Sequence, residues 1–352
     1  MSDTSLKSEN RPLVAFAIVI GTVFLFASGD ILIKYLTTRY PVELIMAIRS
    51  VVGLLLILAF FALPILKEAT KKKLGEKERT NAPGNFVTLS RGVVHYRWFG
   101  AETGDLVVCI HGLTTPSFVF EGLARHYVNI GKRVLVYDHY GRGYSDRPKA
   151  KQDKAFFINQ LDELLDKLEI KKQKFELVGY SMGGSIAAAY AAYNPDRLNK
   201  LVLIASAGSG HNLGFSAKLA KIPLFGWALF SIFFGWQHAR STKKEREIKS
   251  SVSKVVERQL NELLYKGFSP SVLASIKGIL SKDNYEDHQA LREANFEIVA
   301  LWGDCDTVIP IASKDIFSSW NSRINNIVIK NGSHSLPITH AREIVNALNI
   351  NN

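Results

Sequence analysis

Short apolar runs that alternate with helical patterns constrain the fold of this chain more than any other feature of its sequence. Most of the runs are rich in Val, Ile and Leu, as strands buried on both faces of a parallel sheet require. The runs are Val93–Phe99, Leu106–Ile110, Arg133–Tyr137, Phe175–Val178, Leu201–Ala205, Ile298–Trp302 and Ile327–Ile329. The helical patterns are Val119–Ile130, Phe156–Leu168, Ser185–Tyr193 and Ala341–Leu348. This order predicts a doubly wound α/β fold that starts near Asn85.

The alternation is interrupted once, over residues 208–293, where the sequence shows helical patterns and no convincing strand. Within this part, Leu224–Trp236 is apolar and aromatic nearly all round. A helix of that composition is either buried or in contact with lipid. We therefore expect a helical cap inserted between the core strands at Leu201–Ala205 and Ile298–Trp302, which are the sixth and seventh strands if one further strand precedes Val93–Phe99.

A candidate nucleophile follows the strand pattern that begins at Phe175. The sequence Gly179-Tyr180-Ser181-Met182-Gly183 stands between that strand and an alanine-rich helix. Glycines on either side of Ser181 allow the sharp turn that exposes the hydroxyl of a nucleophilic serine. The N-terminus of the following helix favours the negative charge that develops in acyl transfer. Ser181 is therefore predicted to be a nucleophile.

A serine hydroxyl needs a base, and the base needs an acid that orients it. Asp304 and Asp306 lie in the loop after one predicted strand, and either could be the acid. His334 lies in the loop after the last strand, whereas His340 lies six residues further on, at the start of the final helix. Because parallel strands place their functional loops at their carboxyl ends, His334 is the preferred base.

An oxyanion hole needs two backbone N–H groups, one of them from the residue after the nucleophile. That residue is Met182. The second donor is expected in the loop after Leu106–Ile110, at the N–H of Leu113. His111 in the same loop is expected to shape the loop rather than to act in catalysis.

Residues 86–350 resemble the α/β-hydrolase superfamily. The matching motifs, in the family's order, are His111-Gly112, the loop Asp138–Pro148, the turn at Ser181, and the loops that carry Asp306 and His334. The resemblance implies a mostly parallel eight-stranded sheet with helices on both faces. It favours Asp306 over Asp304, because the family's aspartate falls three residues after a glycine, here Gly303. It also implies a mainly structural role for Asp138–Pro148, and the motifs are most similar to monoacylglycerol lipases and related serine esterases.

Two apolar stretches precede this domain, at Leu13–Ile33 and Leu44–Leu66. Each is long enough to span a membrane as a helix. The connection between them contains Pro41 and is short, so we expect a transmembrane helical hairpin over residues 1–66. Alternatively, the first stretch is a signal peptide with a cleavage site at Ala27-Ser28-Gly29.

The hairpin carries charged residues that are costly at membrane depth, namely Asp30, Glu43 and Arg49. Together with their neighbours they resemble the first two helices of EamA-type drug/metabolite transporters. That resemblance covers only residues 13–66, so transport by this chain alone is not expected. We expect an anchor whose charges pair with each other; the alternative is a site for a ligand or a membrane-protein partner.

The charge distribution indicates the side of the membrane. The formal net charge is +12 at pH 7, and a basic cluster directly follows the second apolar stretch, at Lys67, Lys71, Lys72, Lys73, Lys77 and Arg79. Basic residues in this position hold a membrane segment with its flank in the cytoplasm. No basic run is interleaved with aromatics, so nucleic acid is not an expected partner. Residues 67–84 are expected to be a charged, solvated linker, and residues 85–352 the hydrolase domain.

The expected function is that of a membrane-anchored serine hydrolase of a lipid-like carboxylic ester, such as a monoacylglycerol or a lysophospholipid. The catalytic residues would be Ser181, Asp306 and His334, with no metal or organic cofactor. Hydrolysis of small soluble esters, amides or carbon–carbon bonds by the same residues is the first alternative. A non-catalytic, membrane-bound binding module is the second.

Overall fold

The computed structural model describes residues 29, 31, 33–170, 173–210 and 215–349. The chain divides into two compact units, with the boundary between Leu63 and Pro64. Helix α1, Val42–Ala69, crosses this boundary. It includes the second predicted span and extends it at both ends.

Helix α1 is long and apolar enough to cross a membrane, by its length and composition. Its 28 residues correspond to about 42 Å at 1.5 Å per residue, against a hydrocarbon core of about 30 Å. The first predicted span, Leu13–Ile33, lies almost wholly outside the described residues. The hairpin, and the resemblance to a transporter that depends on it, therefore stay predictions.

The second unit is built on one sheet of eight strands, which confirms the predicted α/β-hydrolase architecture. The strands are β1 (Asn85–Leu89), β2 (Gly92–Phe99), β3 (Leu106–Ile110), β4 (Arg133–Tyr137), β5 (Phe175–Tyr180), β6 (Leu198–Ile204), β7 (Glu297–Gly303) and β8 (Ile324–Ile329). Their order in the sheet is β1-β2-β4-β3-β5-β6-β7-β8. Only β2 runs against the others, pairing antiparallel with β1 and with β4. The sheet is thus mostly parallel, as predicted.

Helices cover both faces of this sheet. In chain order they are α2 (Glu76–Arg79), α3 (Glu121–Asn129), α4 (Lys154–Lys167), α5 (Met182–Tyr193), α6 (Phe215–Ala220), α7 (Gly226–Lys243), α8 (Val255–Glu262), α9 (Phe268–Lys277), α10 (Tyr285–Ala290), α11 (Ser313–Trp320), α12 (Leu336–Thr339) and α13 (Ala341–Asn349). Alternate residues of a strand point to opposite faces. Leu177 of β5 accordingly packs with Phe157 of α4 in one core, and Val178 packs with Leu123 of α3 in the other.

Between β6 and β7 the described residues form helices α6 to α10 and short 3-10 turns, without a strand. The aromatic segment predicted there is helix α7, and it is buried on one face only. Phe230 and Phe234 pack with Phe268 and Val272 of α9. Trp236 on the same helix is 62% exposed. The helix is therefore neither fully buried nor fully surrounded by solvent.

The stretch expected to be a solvated linker makes ordered contacts with these helices over part of its length. The backbone of Lys72 accepts a hydrogen bond from the N–H of Lys266 at 2.8 Å and donates one to Leu264 at 3.0 Å. Arg79 forms an ion pair with Asp146 at 2.6 Å. Residues 64–84 therefore belong structurally with the sheet domain.

The buried sheet should dominate the stability of this domain. Leu177 is fully buried in the central strand β5, so replacing it with Ala removes packed methyl groups and leaves a cavity. We expect Leu177→Ala to lower the free energy of unfolding by about 2–5 kcal/mol. Urea unfolding of the detergent-solubilised chain measures the change.

Leu264→Ala is the matched control, because Leu264 is 51% exposed. Its effect should stay within about 0.5 kcal/mol. Equal losses in the two variants would contradict the burial that the fold assigns to Leu177.

Candidate active site

The backbone of Ser181 adopts a conformation that non-glycine residues rarely take, with φ +55° and ψ −120°. It lies between β5 and α5, where the chain turns from strand to helix. The turn is held by hydrogen bonds from the N–H of Ser181 to the carbonyl of Ile204, at 3.0 Å, and from the N–H of Ala207 to the carbonyl of Ser181, at 2.9 Å. Such strain persists only where the surroundings enforce it.

The two glycines of the motif permit close backbone contacts around this turn. A Cβ atom added to Gly183 would lie 2.0 Å from the carbonyl oxygen of Ile110 at the end of β3. A Cβ atom added to Gly179 would lie 2.4 Å from the carbonyl oxygen of Gly183. No larger residue fits at either position without movement of the backbone. The sequence motif therefore has a steric origin.

The structure brings together the three residues that the sequence proposed as catalytic. Nε2 of His334 lies 3.0 Å from Oγ of Ser181. Nδ1 of the same ring lies 2.8 Å from Oδ2 of Asp306. The three residues follow β5, β8 and β7 respectively, so the carboxyl edge of the sheet places them side by side. The arrangement allows His334 to take the hydroxyl proton while Asp306 orients its ring.

The surroundings of Asp306 and His334 differ from those of the alternatives, Asp304 and His340. Asp306 is buried, and its Oδ1 accepts hydrogen bonds from the N–H groups of Val308 at 2.7 Å and Ile309 at 2.8 Å. Asp304 is exposed. His340 contacts Thr339 Oγ1 through its Nδ1, at 2.7 Å. Neither alternative is in contact with Ser181 among the described residues.

The two predicted oxyanion donors line the same cavity as Ser181. Within the described chain, neither the N–H of Leu113 nor that of Met182 has a hydrogen-bond acceptor. Free amides beside a nucleophile can bind the oxyanion of a tetrahedral intermediate. Gly112 approaches closely as well, since an added Cβ would lie 3.2 Å from Cβ of Ser181.

His111 shapes this loop, as the sequence predicted. Its Nδ1 lies 2.8 Å from the carbonyl oxygen of Gly112, and its Nε2 accepts a hydrogen bond from the N–H of His139 at 2.9 Å. Burial lowers the pKa of His111 to about 4, so the ring is neutral at pH 7. Both ring nitrogens are occupied, which leaves neither for proton transfer.

Two further residues support the site and escaped the sequence analysis. Arg142 is fully buried in the Asp138–Pro148 loop, and its Nε donates to the carbonyl of Leu113 at 3.0 Å. Tyr180 donates its hydroxyl to the carbonyl of His334 at 2.9 Å. Both fix the backbone of a predicted site residue. The only sequence signal for either is its place inside a recognised motif.

The cavity above Ser181 has a volume of about 250 Å³. Part of its lining is apolar and consists of Leu113, Leu280, Val308, Ile309 and Ile338. Another part of the lining is polar and comes from the cap and from the loop after β3. It consists of Thr115, His238, Ser241, Thr242, Glu245 and Gln259. The cavity is therefore amphipathic. Two larger cavities, of about 480 and 550 Å³, are lined by none of the three predicted catalytic residues.

In the described part of the chain, no group of three or more His, Cys, Asp or Glu side chains is arranged to hold a metal ion.

Comparison with known proteins agrees with the architecture. A family model described as an alpha/beta hydrolase fold matches residues 105–341. The 2-hydroxymuconate semialdehyde hydrolase of a Pseudomonas species is 28% identical, over 60% of this chain and 72% of its own. The human monoacylglycerol lipase ABHD6 is 23% identical, over 53% of this chain and 57% of its own.

Two further matches cover less of the relative or are structural only. An uncharacterized protein of Mycobacterium tuberculosis is 29% identical, but the match spans only 36% of its length. The structure of a membrane phospholipase A superposes with a TM-score of 0.60 at 20% identity, covering 86% of this chain and 97% of its own. At 20% identity this superposition supports a shared fold and nothing about function.

The hydroxyl of Tyr180 should matter for the reactivity of Ser181. Tyr180→Phe leaves the carbonyl of His334 without its donor, so the base is held less firmly. We expect the rate of covalent labelling by a fluorophosphonate to fall roughly twofold to tenfold, which corresponds to about 0.5–1.5 kcal/mol. A labelling time course on the purified chain measures it.

Tyr190→Phe provides the comparison, because Tyr190 is also buried and donates its hydroxyl to Asp162 at 2.9 Å, away from the cavity. Its labelling rate should equal that of the native chain. A fall of the same size in both variants would mean that general stability, not the position of His334, limits the reaction.

Proposed function

This chain belongs to the α/β-hydrolase family, and on that premise we propose that it is a serine hydrolase that cleaves a carboxylic ester. The observation that carries the proposal is the unbroken series of contacts from Ser181 Oγ through His334 to Asp306. A serine at this turn, with a base in contact, is suited to acyl transfer.

In the proposed reaction, Oγ of Ser181 attacks the ester carbonyl carbon and its proton passes to Nε2 of His334. The carbonyl oxygen becomes an oxyanion, which the N–H groups of Leu113 and Met182 bind. His334 then gives the proton to the departing alcohol, and an acyl-enzyme remains. Water, deprotonated by His334, attacks the acyl carbon and releases the acid. Asp306 orients the imidazole throughout and stabilises its charged form.

The amphipathic cavity supports an ester with one long apolar part and one polar part. Apolar side chains can accept an acyl chain, and the polar side chains of the cap can bind an alcohol group. Helix α1 would attach the chain to a membrane, and the similarity to a monoacylglycerol lipase also favours a lipid substrate. We propose a lipid-like ester such as a monoacylglycerol or a lysophospholipid.

Cleavage of a carbon–carbon bond is the second candidate, because one relative is a semialdehyde hydrolase that matches over more of this chain than the lipase does. Small soluble esters are a third. The domain limits remain part of the proposal: an anchor at residues 1–66 and a hydrolase domain at 85–352 with a cap at about 208–293. Residues 67–84 would connect the two, with part of this stretch in contact with the hydrolase domain. A two-span hairpin and a cytoplasmic hydrolase domain belong to the same proposal, as does a possible membrane-protein partner of the hairpin.

The proposed catalytic roles can be tested by substitution. Ser181→Ala should abolish both fluorophosphonate labelling and ester hydrolysis. Asp306→Asn should lower kcat about 10³- to 10⁴-fold, because the imidazole loses its orienting and charge-stabilising partner. Asp304→Asn is the matched control and should keep kcat within about threefold of the native value. Labelling that persists in Ser181→Ala would exclude this nucleophile.

The native chain also distinguishes the substrate classes. Long-chain monoacylglycerol in neutral detergent micelles should be hydrolysed with a higher kcat/KM than a short soluble ester of the same alcohol. Faster hydrolysis of the short ester would refute the lipid substrate while leaving the serine mechanism intact. Labelling without hydrolysis of any ester would favour the carbon–carbon hydrolase. An unlabelled native chain would indicate a binding module.

A single exposed thiol can report the side of the membrane. Of the two cysteines, Cys305 is exposed and Cys109 is buried. With the hydrolase domain in the cytoplasm, a membrane-impermeant maleimide should leave Cys305 unmodified in intact spheroplasts and modify it after lysis. The reaction should be run near pH 8, because the neighbouring Asp304 raises the pKa of the thiol. Modification in intact spheroplasts, absent in Cys305→Ser, would place the domain outside.

A further inference from the structure

The cap contributes one acidic residue, Glu245, to the cavity above Ser181, and this residue lacks a partner. Glu245 lies in the 3-10 turn Lys244–Glu247, directly after helix α7. Its side chain lines the cavity and is partly buried. Among the described residues, none forms a hydrogen bond or an ion pair with its carboxylate. A partly buried carboxylate without a partner is costly unless a ligand supplies one.

The rest of the cavity does not offset this negative charge. No lysine or arginine is among the described residues that line it. Lys244 and Arg246, the sequence neighbours of Glu245, are exposed and do not line the cavity. His238 lines it, but burial lowers the pKa of this histidine to about 4, so its ring is neutral at pH 7. The lining is therefore acidic although the chain as a whole is strongly basic.

His238, which lines the same cavity, carries a second polar group without a partner among the described residues. Its Nε2 is buried and has no hydrogen-bond partner in the described chain. The ring is held by stacking on Phe234, with centroids 5.5 Å apart. Glu245 can only accept hydrogen bonds when ionised, whereas an imidazole nitrogen donates or accepts according to its tautomer. A group with several hydroxyls can satisfy both residues.

The carboxylate also lies within electrostatic range of His334, the proposed base, which ties the cap residue to the reaction. Burial raises the pKa of Glu245, and the proximity of His334 lowers it. Any negative charge on the bound substrate near Glu245 would face the same carboxylate within a partly enclosed cavity. Charge repulsion in such a place is stronger than at the surface.

From this arrangement we propose that Glu245 and His238 form a subsite for the alcohol part of the ester, and that this subsite binds an uncharged polyol such as glycerol and rejects an anionic group. The inference rests on the proposed ester hydrolysis by Ser181 and narrows its substrate. Monoacylglycerols fit the subsite. Lysophospholipids with an anionic headgroup and the carboxylate-bearing substrates of carbon–carbon hydrolases do not. Glu245 acts as a specificity residue, and its effect is expressed in the choice between alcohols.

Two substrates with the same acyl chain test this choice directly: 1-oleoylglycerol and 1-oleoylglycerol 3-phosphate, in neutral detergent micelles at pH 8. The native chain should show a clearly higher kcat/KM for the uncharged ester. Glu245→Gln should reduce the ratio of the two kcat/KM values about tenfold, because repulsion of the phosphate is lost. Glu245→Lys should reduce it further or invert it. A variant that loses activity equally towards both esters leaves the ratio of their kcat/KM values unchanged, so a general loss of activity does not affect the test.

Glu247→Gln is the matched control, since Glu247 lies in the same turn, is exposed, and gives the same change in net charge. Its ratio should equal the native one. An unchanged ratio in Glu245→Gln, or an equal change in Glu247→Gln, would overturn the subsite. The native chain gives a second test that needs no variant: 1-hexadecylglycerol ether should inhibit it more strongly than hexadecyl phosphate, and the reverse order would also overturn the subsite.

Failure of the proposed function has a different signature. It would appear as no turnover of either ester and no fluorophosphonate labelling of the native chain, and the subsite would then fall with it. Labelling and turnover with an unchanged ratio would remove only the role of Glu245.

Discussion

The close approach of three backbone segments around Ser181 is the constraint on which the rest of the site depends. The end of β3, the turn after β5 and the first residues of α5 meet where Gly183 lies almost against the carbonyl of Ile110. A side chain at Gly183 would force these segments apart. The positive φ of Ser181 persists because its N–H and carbonyl are both tied to the chain near the end of β6. The strain thus depends on an intact sheet.

The parallel arrangement of the sheet explains why remote parts of the chain meet at this point. Neighbouring parallel strands end at the same edge, so the loops after β5, β7 and β8 are brought together. A hydrogen bond from the N–H of Cys305 to the carbonyl of Gly332, at 2.9 Å, joins the loops after β7 and β8 as well. This is also why the sequence could predict Ser181, Asp306 and His334. Each residue lies three to five residues after the end of an apolar run, and such a run marks both a strand and its end. The choice of Asp306 over Asp304 came from a family resemblance, and the structure distinguishes the two by burial.

Features that depend on contacts across the sequence could not be predicted. Strand β1 has no continuous apolar run, because it lies at the edge of the sheet and most of its residues are only partly covered. The residues at 64–84 look like a linker by charge, but the carbonyl and N–H of Lys72 pair with a cap segment almost two hundred residues away. Arg142 donates to the carbonyl of Leu113 in another segment, and Glu245 lines the cavity from the cap, so the local sequence predicts neither placement. Periodicity locates elements, whereas packing decides which polar residues face one another.

The chain as a whole is strongly basic, whereas the described lining of the cavity above Ser181 contains Glu245 and no lysine or arginine. Basic residues follow α1 in sequence and would favour an anionic membrane surface. Surface charges act over about 8–10 Å at physiological salt and so attract a charged surface without discriminating among individual molecules in it. A carboxylate inside a cavity is screened much less and acts on one bound molecule at a time. On the proposed function, the surface would concentrate the chain on anionic lipid while Glu245 would restrict hydrolysis to uncharged lipid, so that the lipid that retains the chain would not be the lipid that it cleaves.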